Sequence, residues 1–196
     1  MNNFEKLANK SYQSSENEYL NISFKYIDWN CEHFFLQGLK NENYKQIFDA
    51  LEKLKNTSVK SFREQTAYGG LNPKSIFNTK SGLYDRFNSN TYSLVQTSLQ
   101  TEENPKQQAE AILKQAFEIR IAGRNQGRIH GFLWNNTFHI VWFDPAHNLY
   151  YGRKQPQAMG EYATVKRCFS PEQFEQLQRE NAELYDLLDT KTAPES

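Results

Sequence analysis

Two alternating runs, 128–134 and 137–143, are separated only by Asn135-Asn136, and that spacing constrains the fold more than any other feature of the chain. Two residues can join only neighbouring antiparallel strands, in a turn whose central residues take positive φ, which Asn tolerates. The pairing that follows sets Trp134 against Thr137 and Leu133 against Phe138, and so on outward. One face then carries Ile129, Gly131, Leu133, Phe138, Ile140 and Trp142. The other carries Arg128, His130, Phe132, Trp134, His139, Val141 and Phe143. The first is a core face. Asp144-Pro145 ends the second strand, because proline has no N–H to give to a ladder.

Other elements arrange themselves around this hairpin. Phe117, Ile119 and Ile121 alternate with Glu118 and Arg120, predicting a preceding strand, with a turn over 123–127. Leu20, Ile22, Phe24 and Tyr26 alternate with Asn21, Ser23 and Lys25, predicting a half-buried strand near the start. Phe34, Phe35, Leu36 and Leu39 predict a short helix stopped near Gly38. Tyr44, Ile47, Phe48, Leu51 and Leu54 recur at helical spacing, predicting a helix over 43–56. Residues 106–116 read as another, with Pro105 near its start. The stretch 57–105 is rich in Asn, Ser, Thr and Gly and reads as an insertion, with short elements expected around 74–77 and 92–99. Residues 1–18 are polar and read as a leader; 170–196 read as an acidic helix and tail.

That last segment opens with Ser170-Pro171 and Gln173, a capping-box pattern. Phe174, Leu177, Asn181, Leu184 and Leu188 then follow heptad spacing, with Asn181 at a core position. A homodimer through this helix and packing of the helix back on its own domain are both open readings.

Formal net charge is zero, with 23 basic and 23 acidic residues, but the charges are unevenly placed. Six Lys or Arg face two acids between Lys114 and Lys154, whereas seven acids face two bases after Ser170. A basic centre beside an acidic tail fits a polyanionic ligand or self-masking, and it also fits two solvated surfaces. No apolar run is long enough for a transmembrane helix and the start lacks a signal-peptide core, so a cytoplasmic protein with no membrane partner is expected. Two cysteines, Cys31 and Cys168, exclude a disulfide scaffold.

The chemistry-bearing residues are few. Cys31-x-His33 and the His147/Cys168 pair lack the close paired spacings of a zinc module, so no metal is expected. No phosphate-cradling glycine loop or nucleophile elbow is present, and no cofactor is expected. What remains is Arg120, Arg124, Arg128, His130, His139 and His147 around the terminal strands. Cleavage of RNA by acid–base chemistry needs a base for the 2′-OH, cations for the phosphorane and an acid for the leaving oxygen, roles that His and Arg suit. The aromatic, Arg and His face of the hairpin fits RNA contact, and equally a second packed face with satisfied histidines. Glu118 and Asp144 are candidate ion-pair partners for Arg128.

The pieces AFEIRIAG (116–123), GRIHGF (127–132), FHIVWFDP (138–145) and HNLYY (147–151), in this order after a strand and helices, resemble the RelE/HigB/YoeB toxin superfamily. The resemblance covers 19–56 and 116–151, under half of the chain. It implies an α+β domain over 19–169: a small antiparallel sheet packed on helices on one face, plus the C-terminal helix. It implies an endoribonuclease that cuts mRNA, usually on the ribosome, restrained by a protein antitoxin. Arg128 would then stabilise the phosphorane, His147 would be general acid or base, and Tyr150 would orient substrate. Arg120 would match an accessory basic position that touches RNA, and Tyr151 is the other place for the terminal aromatic; beside the resemblance, Arg124 in its glycine-flanked turn and His130 and His139 on the hairpin face are RNA-contact candidates from the residues themselves. The length, the insertion, the acidic helix and Asp144-Pro145 depart from the family pattern. ParE-like relatives of the same fold poison gyrase instead, so a gyrase-directed inhibitor and a non-catalytic RNA- or protein-binding module stay open.

Overall fold

Asn135 and Asn136 both take left-handed φ, 48° and 57°, and close a tight hairpin between β4 (Arg128–Trp134) and β5 (Thr137–Asp144). The structure, a computed structural model, describes residues 18–66, 70–78, 82–121, 127–151, 155–158 and 171–192. Before the hairpin come β1 (Asn21–Ser23), α1 (Asn41–Lys55), α2 (Val59–Arg63), β2 (Lys74–Ser75), α3 (Ser89–Ser98), α4 (Pro105–Leu113) and β3 (Ala116–Arg120). After it comes α5 (Pro171–Thr192). The fold is α+β, with one five-stranded sheet in the order β1-β5-β4-β3-β2.

The hairpin does not keep even alternation. From Trp134–Thr137 to Gly131–Ile140 the pairing is the one the turn dictates, but His130 then pairs with Trp142, leaving Val141 as an extra residue. A bulge of this kind turns the following side chains to the opposite face. Trp142 therefore joins His130 and Phe132, Phe143 joins Ile129, and Asp144 arrives opposite Arg128. The expected placement of Trp142 and Phe143 is thus reversed. The glycine at the bulge is required: a Cβ on Gly131 would lie 2.2 Å from the His139 carbonyl oxygen. The Val141 carbonyl accepts the Asp28 N–H at 2.9 Å, so the irregular backbone is not left unpaired.

Helices cover both faces of the sheet, not one. Phe117, Ile119, Ile129, Leu133, Phe138, Ile140 and Phe143 pack against Ile47, Ala50, Leu51 and Leu54 of α1 and Val59 and Phe62 of α2. On the opposite face Ala116, Phe132, Val141 and Trp142 pack with Val95, Ala109 and Leu113 of α3 and α4, and with Tyr26, Phe34, Phe87 and Leu149 from loops. Nor is the sheet wholly antiparallel, because β1 lies parallel to β5, with Ile22 beside Phe138.

Local chemistry accounts for several helix ends. Ser58 accepts from Ser61 N–H to start α2, and Asn88 accepts from Thr91 N–H at 2.8 Å to start α3. Pro105 opens α4 directly after Asn104, whose φ is 53°. α1 carries Lys53 and Lys55 in its last turn, where cations suit the helix dipole.

Three further sequence expectations differ from the fold. The strand expected over 20–26 stops at Ser23, because the chain turns there and sends Tyr26 to the second core, away from Leu20 and Ile22. The short helix expected around Phe34 is irregular chain; Phe34 and Phe35 are buried anchors, with Phe34 stacked 4.5 Å from Trp142. The stretch 57–105 contributes α2, β2 and α3, so much of it belongs to the sheet and its cover.

The chain divides into two units, Met1–Thr164 and Val165–Ser196. The second contains α5, a helix of 22 residues on which Phe174, Leu177, Leu184 and Tyr185 are exposed. Ser170, the expected cap, lies outside the described residues. Among the described residues no helix is long and apolar enough to cross a membrane.

Candidate functional site

At one end of the sheet the strand registers set Glu118 beside His130, and Arg120 beside Arg128, which in turn pairs with Asp144. Alternation puts all five side chains on the face of the second core. Four of them are buried: Glu118, Arg128, His130 and Asp144. Buried charge demands partners, and here the partners are one another. Arg128 Nε stands 3.8 Å from Glu118 Oε1, and its Nη1 donates to the Gly127 carbonyl at 3.1 Å. His130 Nε2 lies 3.1 Å from Asp144 Oδ2.

Asp144 has a second task. Its Oδ1 accepts the Asn148 N–H at 2.6 Å and its Oδ2 accepts the Leu149 N–H at 2.9 Å. Its carbonyl accepts the His147 N–H at 3.3 Å. The turn carrying His147 is thus clamped by one aspartate, and His147 is held at a φ of 59°, which L residues rarely adopt. Asn148 secures the turn from the other side. Its Nδ2 donates to the carbonyls of His33 and Gln157, both at 2.8 Å, and its Oδ1 accepts Gln157 N–H at 2.8 Å.

His147 itself is half-buried. Burial holds its pKa below the ordinary 6.5, and the Arg128 charge pushes the same way, while Asp144 and Glu118 oppose them. Both effects favour the neutral imidazole, the form able to accept a proton. Burial also lowers the Arg128 pKa, with Glu118 opposing. Three buried atoms of this cluster have no hydrogen-bond partner among the described residues: Glu118 Oε2, Arg120 Nε and His130 Nδ1. Unpaired buried polar atoms are costly, and they accumulate where a ligand or water completes the set.

The structure brings Arg120, Arg128, His130 and His147 together and leaves others out. His139 sits nearer the hairpin turn, five residues and about 16 Å along the strand from Asp144. It is buried against Phe132 (ring centroids 5.0 Å apart), Tyr26 (5.1 Å) and Trp134 (5.8 Å). Burial pushes its pKa down to about 4, against a backbone hydrogen bond at Trp134 that raises it. Tyr150 is half-buried in the second core, and its hydroxyl accepts the Phe77 N–H at 3.2 Å. Tyr151 is half-buried, and Arg124 lies outside the described residues.

Strand patterning marks Glu118 and Asp144 only as ion-pair candidates for Arg128 and does not single out Asn148. The available signal was Asp144 four residues ahead of Asn148, an Asp able to cap the turn that follows it. A groove of about 810 Å³ is a separate feature of the same unit, lined by Tyr84, Arg86 and Tyr92, by Lys106 and Glu110 of α4 and by Lys114 at its C-terminal end. Among the described residues no group of three His, Cys, Asp or Glu side chains is placed to hold a metal ion.

No family model, curated protein or solved structure matches this chain.

Proposed function

We propose that the Arg128–His147 cluster is the active site of an endoribonuclease working by side-chain acid–base chemistry. The observation that carries this reading is that one residue, Asp144, joins both parts: its carboxylate accepts two N–H groups of the turn that carries His147, and its backbone pairs with Arg128. Neutral His147 takes the proton of a ribose 2′-OH. The 2′ oxygen attacks the adjacent phosphorus, the P–O5′ bond breaks, and the proton on His147 passes to the departing 5′ oxygen. Arg128 and Arg120 stabilise the extra charge on the phosphorane, and the product carries a 2′,3′-cyclic phosphate. Tyr150 positions the RNA. In this reading the cellular substrate is mRNA, free or on the ribosome, and a protein antitoxin restrains the enzyme.

The experiment is induced expression in bacteria with growth followed and RNA ends mapped. Growth arrest with new RNA ends that vanish in Arg128→Ala and His147→Ala supports the reading. Normal growth with unchanged RNA ends, from protein shown to be folded and abundant, overturns it.

The burial of Arg128 against Glu118 favours a second reading, in which the cluster braces the sheet end and the protein binds without cleaving. The groove bearing Tyr84, Tyr92, Arg86, Lys106 and Lys114 then holds RNA or a protein partner. RNA binding that survives His147→Ala and is lost on replacing Lys106 and Lys114 distinguishes this reading from the first.

A further inference from the structure

α5 carries an apolar stripe whose described side chains are exposed. Phe174 is 54% exposed, Leu177 41% and Leu184 57%, all on one continuous helix. An amphipathic helix gains its stability from burying such a stripe, so its occupant is the question.

The spacing of the stripe says what fits it. Phe174, Leu177, Asn181 and Leu184 step by three, four and three residues, and Leu188 continues the series in sequence. That is the seam of a left-handed coiled coil, with Phe174 and Asn181 at the a positions and Leu177 and Leu184 at the d positions. Charges keep off the seam: Glu175, Arg179 and Glu183 fall at outer positions. Glu180, beside the seam, accepts from Gln176 Nε2 at 2.9 Å on its own helix.

We infer that α5 is a self-association element that pairs in parallel, in register, with α5 of a second copy of this chain. Asn181 selects the arrangement. In a parallel, in-register pair the two Asn181 side chains meet and hydrogen-bond each other. In an antiparallel pair each Asn181 meets a leucine and loses its partner, at the cost of a buried unsatisfied amide. A lone Asn at an a position likewise favours two strands over three. The same register sets Glu180 against Tyr185 of the second copy, so no like charges face each other. With so few heptads the pair is weak, and it forms and separates with concentration.

The test is the mass of the full chain by analytical ultracentrifugation from about 5 to about 500 µM. The expected result is a reversible rise from 23.0 kDa toward twice that value. Leu177→Glu and Leu184→Glu, both at exposed positions, hold the chain at monomer mass, and Asn181→Ile tightens association by at least about tenfold. In a Cys31→Ser, Cys168→Ser background, Leu177→Cys forms a disulfide-linked dimer under mild oxidation, a contact that antiparallel helices do not make. A wild type that stays monomeric throughout overturns the inference, and so does a dimer indifferent to the leucine changes. None of these readouts depends on RNA cleavage.

Discussion

His130 and Asp144 meet 3.1 Å apart with neither side chain exposed to solvent, at the strand end to which the β5 bulge delivers the carboxylate. The same carboxylate accepts two backbone N–H groups of the next turn. Removing it leaves a buried imidazole and two amides without acceptors, and breaking a buried pair from one side is strongly destabilising. Asp144→Ala is expected to lower unfolding free energy by about 3 kcal/mol or more. Asp144→Asn, which keeps one acceptor oxygen, loses less. Urea denaturation of the three proteins checks the order; equal midpoints would show that the carboxylate carries no such weight.

A pH profile follows for the chemistry. If neutral His147 is the base, the rate is highest where the imidazole is unprotonated and falls as pH drops through its pKa. Burial and Arg128 hold that pKa below 6.5, so the acid limb of kcat/KM lies below pH 6.5. His147→Ala should cost on the order of 10²- to 10³-fold in kcat/KM and abolish that limb. Arg128→Ala removes one of the depressing charges, so any residual activity should show the limb shifted toward higher pH. Cleavage of a short RNA, followed from about pH 4.5 to 8.5, reads both effects.

How much of this was visible beforehand depended on the range of the interactions. The Asn135-Asn136 turn, α1 and the Pro105 start of α4 rest on local preferences, and their positions follow from neighbouring residues. Arg128 and His147 were visible as residue types, and their joining required the chain to return at Pro145. The bulge was not visible: Val141 and Trp142 are both apolar, and either alternation looks equally well patterned until Gly131 is seen against the His139 carbonyl. That one-residue slip decides which face receives Asp144, so the centre of the site was hidden although its flanks were legible. β1 misled for the opposite reason. Its alternation runs on to Tyr26, but burial in the second core wins over continuing the strand.

His139 predicts a second pH effect, on stability rather than activity. Its folded pKa is about 4 against an ordinary 6.5, so between those values the unfolded chain binds the proton and the folded chain does not. Stability therefore rises with pH across this window: the His139 contribution is complete above about pH 6.5 and is lost progressively toward pH 4, by up to about 3 kcal/mol. In His139→Phe the slope of unfolding free energy against pH should flatten between pH 4 and 6.5. Comparison of the two proteins by denaturant melts at half-unit intervals checks this. A parallel pair of curves would mean that another group carries the acid sensitivity.

Gly131 is where the fold and the site can be separated experimentally. A Cβ there would lie 2.2 Å from the His139 carbonyl oxygen and 2.8 Å from Phe138 Cζ, and the first of these is backbone that cannot swing aside. Gly131→Ala must therefore push β5 away from β4 at the bulge. Overpacking of this kind costs about 1–3 kcal/mol. The strain falls where the register slips, so the expected damage is not only global: β5 beyond Ile140 moves, carrying Asp144 away from His130 and releasing the turn of His147. Amide exchange should speed at Asn148 and Leu149, whose N–H groups depend on that carboxylate, while α1 and α2 on the opposite face keep their protection relative to the new global stability. Uniform loss of protection throughout the unit would instead mean that Gly131 matters only for total stability and does not place the aspartate.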